Sequence, residues 1–139
     1  EPSACIPPSA YTQDPLSEGN SWMYDMIKVV DVWRDGYTGE GVKIRINDDG
    51  VYVSNREFLG RFDDIQNSCD GYLPIGQDDH GTAVAGIVVG NADNDLCAAG
   101  IAHKAKFSSC NFFTGEAPTV LLRYKLETFD ISQNSIGVP

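Results

Sequence analysis

Apolar and polar residues change rhythm several times along the chain, and each change marks an element. From Ser21 to Asp35 the apolar residues Trp22, Met23, Met26, Ile27, Val29, Val30 and Trp33 recur at helical rather than alternating spacing. This predicts a helix that Ser21 can cap. Gly36 to Gly41 is turn material. Val42, Ile44 and Ile46 then alternate with Lys43, Arg45 and Asn47, predicting a short strand that ends at Asp48-Asp49-Gly50. Residues 51 to 79 read as irregular and acid-rich. After His80-Gly81-Thr82, the small and wholly apolar run Ala83 to Val89 predicts a fully buried helix, stopped by Gly90 and followed by a polar loop from Asn91 to Asp95. Phe107 to Phe113 reads as a strand, Thr119 to Thr128 as a helix, and Phe129 to Gln133 as another strand.

Strands alternating with helices predict an α/β fold: a doubly wound, mostly parallel sheet with helices on both faces. Pro2, Pro7, Pro8 and Pro15 among Ser, Thr and Gly set residues 1–20 apart as an extended arm, with the folded portion over residues 21–139. In such a sheet ligands bind beyond the carboxyl ends of the strands, which is where Asp48 and Asp49 fall. Taken singly, an Asp-Asp-Gly is a turn signal and a histidine opening a helix is a capping or packing residue.

Composition narrows the choices. A chain of 139 residues with 42% hydrophobic and 22% charged positions is an ordinary globular domain. With 20 acidic residues against 10 basic ones, and a formal charge of −10, nucleic acid is a poor partner, whereas cations or basic substrates suit it. The longest mainly apolar run, Thr82 to Gly90, is too short to cross a bilayer, and Glu1 opens no signal-like segment. The expectation is a soluble, already processed chain. Cys5, Cys69, Cys97 and Cys110 are too widely spread for a zinc site. Free thiols and any of three disulfide pairings stay open.

Read together, the segments become specific. Trp33-Arg34-Asp35-Gly36-Tyr37-Thr38-Gly39-Glu40-Gly41-Val42, with Ile44, Ile46 and Asp48-Asp49-Gly50, resembles the first catalytic block of subtilisin-like serine proteases, in the doubled-Asp form of the kexin/furin branch. Asp79-His80-Gly81-Thr82-Ala83-Val84-Ala85-Gly86-Ile87-Val88 resembles the block around that family's histidine. Asn94-Asp95-Leu96-Cys97-Ala98-Ala99-Gly100-Ile101-Ala102 looks like the loop after the histidine helix, and Asn134-Ser135-Ile136-Gly137-Val138-Pro139 is similar to the strand lining the substrate cleft.

The resemblance implies a serine endopeptidase in which Asp48 orients His80 and His80 deprotonates a serine. It implies that Asp49 faces the cleft to accept basic side chains, with Ser135, Ile136 and Gly137 lining it. It also implies one Ca2+ held by Asp14, Glu57 and Asn94 with carbonyls of Asn91, Leu96 and Ala98, an oxygen-rich set that suits a hard cation. Glu57 stands where relatives have the shorter Asp. Cys97 would pair with a cysteine beyond this chain, and the secretory pathway or extracellular space would be the location.

The sequence also departs from the family. The Gly-Thr-Ser-x-Ala segment and the oxyanion asparagine do not occur in these residues, so the fold is expected to be incomplete here and the serine to come from a second chain or segment. By itself this chain would be inactive. Arg45 and Asn47 occupy strand positions that are apolar in most relatives, and no partner for a buried Arg45 is evident. Ile136 replaces the usual aromatic, and the acid expected on the helix after Gly115 is hard to place. A second reading follows: a catalytically inactive subtilase-like module with a structural or interaction role in an extracellular assembly.

Overall fold

The computed structural model describes residues 14–17, 19–63, 69, 79–113, 118–135 and 137. Most of the expected N-terminal arm, together with Cys5 and Ile136, falls outside them. Among the described residues four helices, α1 (Ser21–Ile27), α2 (Val29–Arg34), α3 (Asp79–Val89) and α4 (Pro118–Arg123), accompany three strands, β1 (Lys43–Asp48), β2 (Lys106–Asn111) and β3 (Ile131–Asn134). The strands form one parallel sheet in the order β2-β1-β3. The chain leaves central β1, returns beside it as β2 after α3, then crosses to its other side as β3 after α4. This reversal of direction makes the carboxyl end of β1 a topological switch point, where α/β sheets open a crevice.

The register divides the sheet into two unlike faces. Ile44 stands opposite Phe107 and Ile131, whereas Arg45 stands opposite Ser108 and Ser132, and Asn47 opposite Cys110 and Asn134. On the first face Ile44, Ile46 and Phe107 join Val51, Phe58, Ala85, Val89 and Ala105 in the main core. Phe107 meets Phe58 and Phe62 edge to face, with ring centroids 5.3 and 5.6 Å away. Helix α3 covers this face, yet it is not buried all round. Gly81, Ala85 and Val89, four residues apart, are buried, while Ile87 is 54% exposed. Its small residues permit close approach to the sheet, and only one stripe makes that approach.

On the other face the missing partner of Arg45 is backbone. The guanidinium, fully buried, donates from Nη2 to the Leu122 carbonyl at 2.7 Å and from Nη1 to the Tyr124 carbonyl, and lies 5.6 Å from the Phe129 ring centre. The last carbonyls of a helix have no intrahelical donor and carry partial negative charge, so an arginine at the end of α4 satisfies both needs. Sequence inspection finds no such partner because the acceptors lie 77 and 79 residues away and belong to no particular side chain. Asn47, also fully buried, donates from Nδ2 to Ser132 Oγ, the Gln133 carbonyl and Asn134 Oδ1 at 2.8, 3.1 and 2.9 Å.

Other boundaries move as well. The helix expected over Ser21–Asp35 is broken at Lys28, whose φ of 60° is left-handed, and its N-cap is Asn20 rather than Ser21. The break lets Tyr24 and Trp33 face the same segment. Tyr24 donates to the Ala99 carbonyl at 2.7 Å and Trp33 Nε1 to that of Ile101 at 2.9 Å, with their rings 5.2 Å apart. β2 starts and stops earlier than the apolar run suggested, β3 runs from Ile131 to Asn134, and the expected last helix ends at Arg123, followed by a 3-10 turn at Leu126–Thr128. Another 3-10 turn, Arg56–Phe58, interrupts the stretch read as irregular. The chain forms the Cys69–Cys110 disulfide, while among the described residues Cys97 is free and exposed.

Candidate active site

Strand β1 delivers Asp48 to the switch point and α3 delivers His80 beside it. Asp48 is buried, at 3% exposure, because the sheet and α3 close over the strand end. His80, in the first turn of α3, leaves 61% of its side chain exposed. His80 Nδ1 and Asp48 Oδ1 are 2.7 Å apart, and the same carboxylate oxygen accepts from the Asp49 backbone N–H at 2.9 Å. Asp48 Oδ2 is buried without a partner among the described residues. The hydrogen bond to Asp48, and then its charge, raise the His80 pKa above the ordinary histidine value, and Asp49 adds to the effect.

The approach of α3 to β1 depends on Gly81, a residue with no reactive group. A Cβ on Gly81 would sit 2.0 Å from the Gly50 carbonyl oxygen and 2.9 Å from Asp48 Cβ. Any side chain there would push His80 away from Asp48. Thr82 adds a latch, its Oγ1 accepting from the Tyr52 N–H at 2.8 Å. The signal for both was present in the residues directly after His80, but a small residue advertises contact distance only once its neighbour is known.

Asp49 receives a structural task. Its Oδ1 accepts from the Gly81 N–H at 2.7 Å and its Oδ2 lies 3.4 Å from the His80 N, so the carboxylate caps the positive end of α3. It also lines a cavity of about 260 Å3 with Asp48, His80, Phe113, Ser135 and Gly137. The structure therefore gathers Asp48, Asp49, His80, Ser135 and Gly137 into one pocket; Ile136 lies outside the described residues.

A second group forms between the N-terminal segment and the loop after α3. Asp14, 4% exposed, accepts from the N–H groups of Asp93, Asn94 and Asp95 at 2.9, 2.8 and 3.2 Å. Asn94 Nδ2 lies 3.2 Å from Glu57 Oε2, and Asn94 Oδ1 accepts from the Leu96 N–H. Glu57 is equally buried, and its Oε1 has no partner among the described residues. Burial raises its pKa above the ordinary carboxylate value, the bond from Asn94 opposes the rise, and the charge of Asp14 adds to it. A Cβ on Gly90 would lie 2.9 Å from Glu57 Oε1 and 3.4 Å from the Ala98 carbonyl oxygen, so these two oxygens flank one small space. Among the described residues no three acidic, histidine or cysteine side chains converge, so any cation here would rely on two carboxylates, one amide and carbonyls. Asn91 turns its side chain away, donating to the Leu59 carbonyl.

Comparison with known proteins gives these arrangements a family. Residues 39–123, more than half of the chain, match the Subtilase family. Over 99 residues, 65% of this chain, it is 29% identical to furin of Bos taurus, and over 122 residues, 78% of this chain, it is 32% identical to endoprotease bli-4 of Caenorhabditis elegans. The matched stretches span 12% and 13% of those relatives. A serine protease of Aeromonas sobria superposes with a TM-score of 0.62 at 23% identity, covering 75% of this chain and 20% of that one. A protease of Pseudoalteromonas arctica superposes at 0.64 and 18% identity, covering 93% of this chain and 47% of that one. At such identities these two establish the fold, a partial subtilisin-like α/β sheet. Among the described residues no helix is long and apolar enough to cross a membrane. The doubled acid at the end of β1 and the histidine opening α3 thus sit on a scaffold already known by sequence and by fold: the chain belongs to the subtilase family.

Proposed function

We propose that this chain is the N-terminal part of the catalytic domain of a kexin-type serine endopeptidase. The observation that carries the reading is the 2.7 Å contact between buried Asp48 and exposed His80 at the switch point of the sheet. With Nδ1 engaged by Asp48, Nε2 is the nitrogen left to take a proton from a serine hydroxyl. Asp48 fixes the tautomer and stabilises the imidazolium as it forms. The serine and the oxyanion asparagine come from a segment outside these residues, and peptide bonds are the substrate. In the adjoining cavity Ser135 and Gly137 offer contacts to an extended peptide, and the carboxylate of Asp49 attracts basic side chains while still capping α3.

The second group is the proposed Ca2+ site, and its oxygen donors are of the kind a hard cation takes. Orphaned Glu57 Oε1, the carboxylate of Asp14 and the amide oxygen of Asn94, released from the Leu96 N–H, would hold it, with carbonyls of Asn91, Leu96 and Ala98 completing the set. When bound, the ion would supply positive charge to two buried carboxylates and tie the N-terminal segment to the domain. The Cys69–Cys110 disulfide suits an oxidising compartment, the secretory pathway or the extracellular space.

Treatment of the native material with a fluorophosphonate probe tests the reading. The expected result is covalent labelling at a serine outside residues 1–139, abolished by His80→Ala. Native material that takes up no label overturns it and favours the inactive structural module.

A further inference from the structure

At the end of the sheet away from Asp48, the charge balance of the molecule reverses. The chain as a whole has twice as many acidic as basic residues. Among the described residues, a cavity of about 600 Å3 at the amino ends of β1 and β2 is lined by Lys43, Arg61, Lys104 and Lys106 with Glu40 and Asp63, and nearby Asp130 accepts from the Lys43 N–H at 2.8 Å. Lys43 and Lys106 are register partners on adjacent strands, an arrangement in which like charges repel. Asp63 relieves Lys43, its Oδ2 lying 3.0 Å from Nζ, and the Gly60 carbonyl accepts from Lys106 Nζ at 2.6 Å. Arg61 Nε is buried with no hydrogen-bond partner among the described residues, and Lys104, exposed, has no ion pair among them.

The backbone beneath these cations is pinned. The Arg61 carbonyl accepts from Phe107 N–H, Lys104 N–H donates to the Thr38 carbonyl, and Lys106 N–H to that of Val42, at 3.0, 2.9 and 2.9 Å. Four cations thus stand on rigid supports against two acids in the described lining of the cavity. We propose that this cavity binds an oxyanion of the phosphate or sulfate class carrying more than one negative charge. A guanidinium and ammonium groups converging from three segments match its several acceptor oxygens. Lys43 and Asp48 are at opposite ends of β1, roughly 17 Å apart at the rise of a strand, so the site is separate from the histidine pocket and independent of the protease reading.

Calorimetric titration of the protein with inorganic pyrophosphate, and separately with a disulfated disaccharide, tests this against chloride at matched ionic strength. At least one of the two should bind above the chloride background. Binding by pyrophosphate alone identifies a phosphate ligand, and by the disaccharide alone a sulfated glycan. Lys104→Gln and Arg61→Gln should each weaken binding roughly tenfold, as loss of one charge-assisted bond does, while Arg34→Gln elsewhere on the surface leaves it unchanged. Lys104 is exposed on a turn, so its variant folds and decides the matter even if Arg61→Gln does not. Absence of binding by both anions, or equal weakening by Arg34→Gln, overturns the proposal.

Discussion

The two faces of the central sheet are held to their helices by opposite means. On one, Ile44, Ile46 and Phe107 pack against Ala85 and Val89 of α3 in a non-directional contact among apolar surfaces. On the other, Arg45 and Asn47 reach backbone carbonyls and side chains around α4 and β3 through directed hydrogen bonds. Parallel strands covered on both sides are usually apolar throughout. Here only one side is, and the difference shows how one strand can set two unlike elements. The apolar side fixes how close α3 comes. The polar side fixes where the end of α4 and the strand leading to Ser135 lie.

This contrast can be broken at either face. Phe107→Ala should cause the largest loss, about 4 kcal/mol in denaturant unfolding, from removed transfer energy and the cavity left between Phe58 and Phe62. Arg45→Met should cost about half as much. It leaves the Leu122 and Tyr124 carbonyls without their donor but also removes a buried charge, and α4 is near enough to solvent for water to replace the bond. If the two losses were equal, or their order reversed, directed bonds would hold at least as firmly as apolar packing and the comparison would fail.

Smaller effects sharpen the picture at the two acidic groups. Glu57→Gln should raise the melting midpoint of calcium-free protein by a few degrees, because it removes a buried charge held near Asp14. Added Ca2+ should stabilise the unmodified chain and leave the variant nearly unmoved. An equal calcium response in both would remove Glu57 from the site.

The smallest change concerns protonation. Because the folded-state pKa of His80 is raised, its bond to Asp48 contributes stability fully below the ordinary histidine value, about 6.5, and that contribution fades as pH rises through the raised value. Asp48→Asn should bring the His80 titration, followed by NMR of the ring protons, back toward the ordinary value. A titration that stays put would mean that Asp48 does not set it.

What could be read from residues alone follows from range. Alternation at Val42, Ile44 and Ile46 and the small residues after His80 are local patterns, and both elements formed, although α3 starts four residues before its apolar run. The doubled acid and the histidine were also recognisable as short motifs, and the fold brings Asp48 within hydrogen-bonding distance of His80. The break at Lys28 was hidden because a left-handed lysine leaves no mark in hydropathy; it forms so that Tyr24 and Trp33 can reach carbonyls some 70 residues on. Arg45 looked like a misfit for the same reason. The capping by Asp49 of a helix that begins 30 residues later is likewise a property of the assembled crevice.

The Cys69–Cys110 bond closes a ring that contains the whole of α3 and the loop from Asn91 to Asp95, but not Asp48. With Asp93 and Asp95 exposed, this polar loop is open to proteolytic cutting. A single cut inside the ring releases nothing: both pieces remain joined through sulfur, and the histidine helix stays attached to β2, paired in turn with the strand bearing its carboxylate partner. Nicked and intact molecules would run together until a reductant separates them, so damage to this half of the site would accumulate unseen on a non-reducing gel.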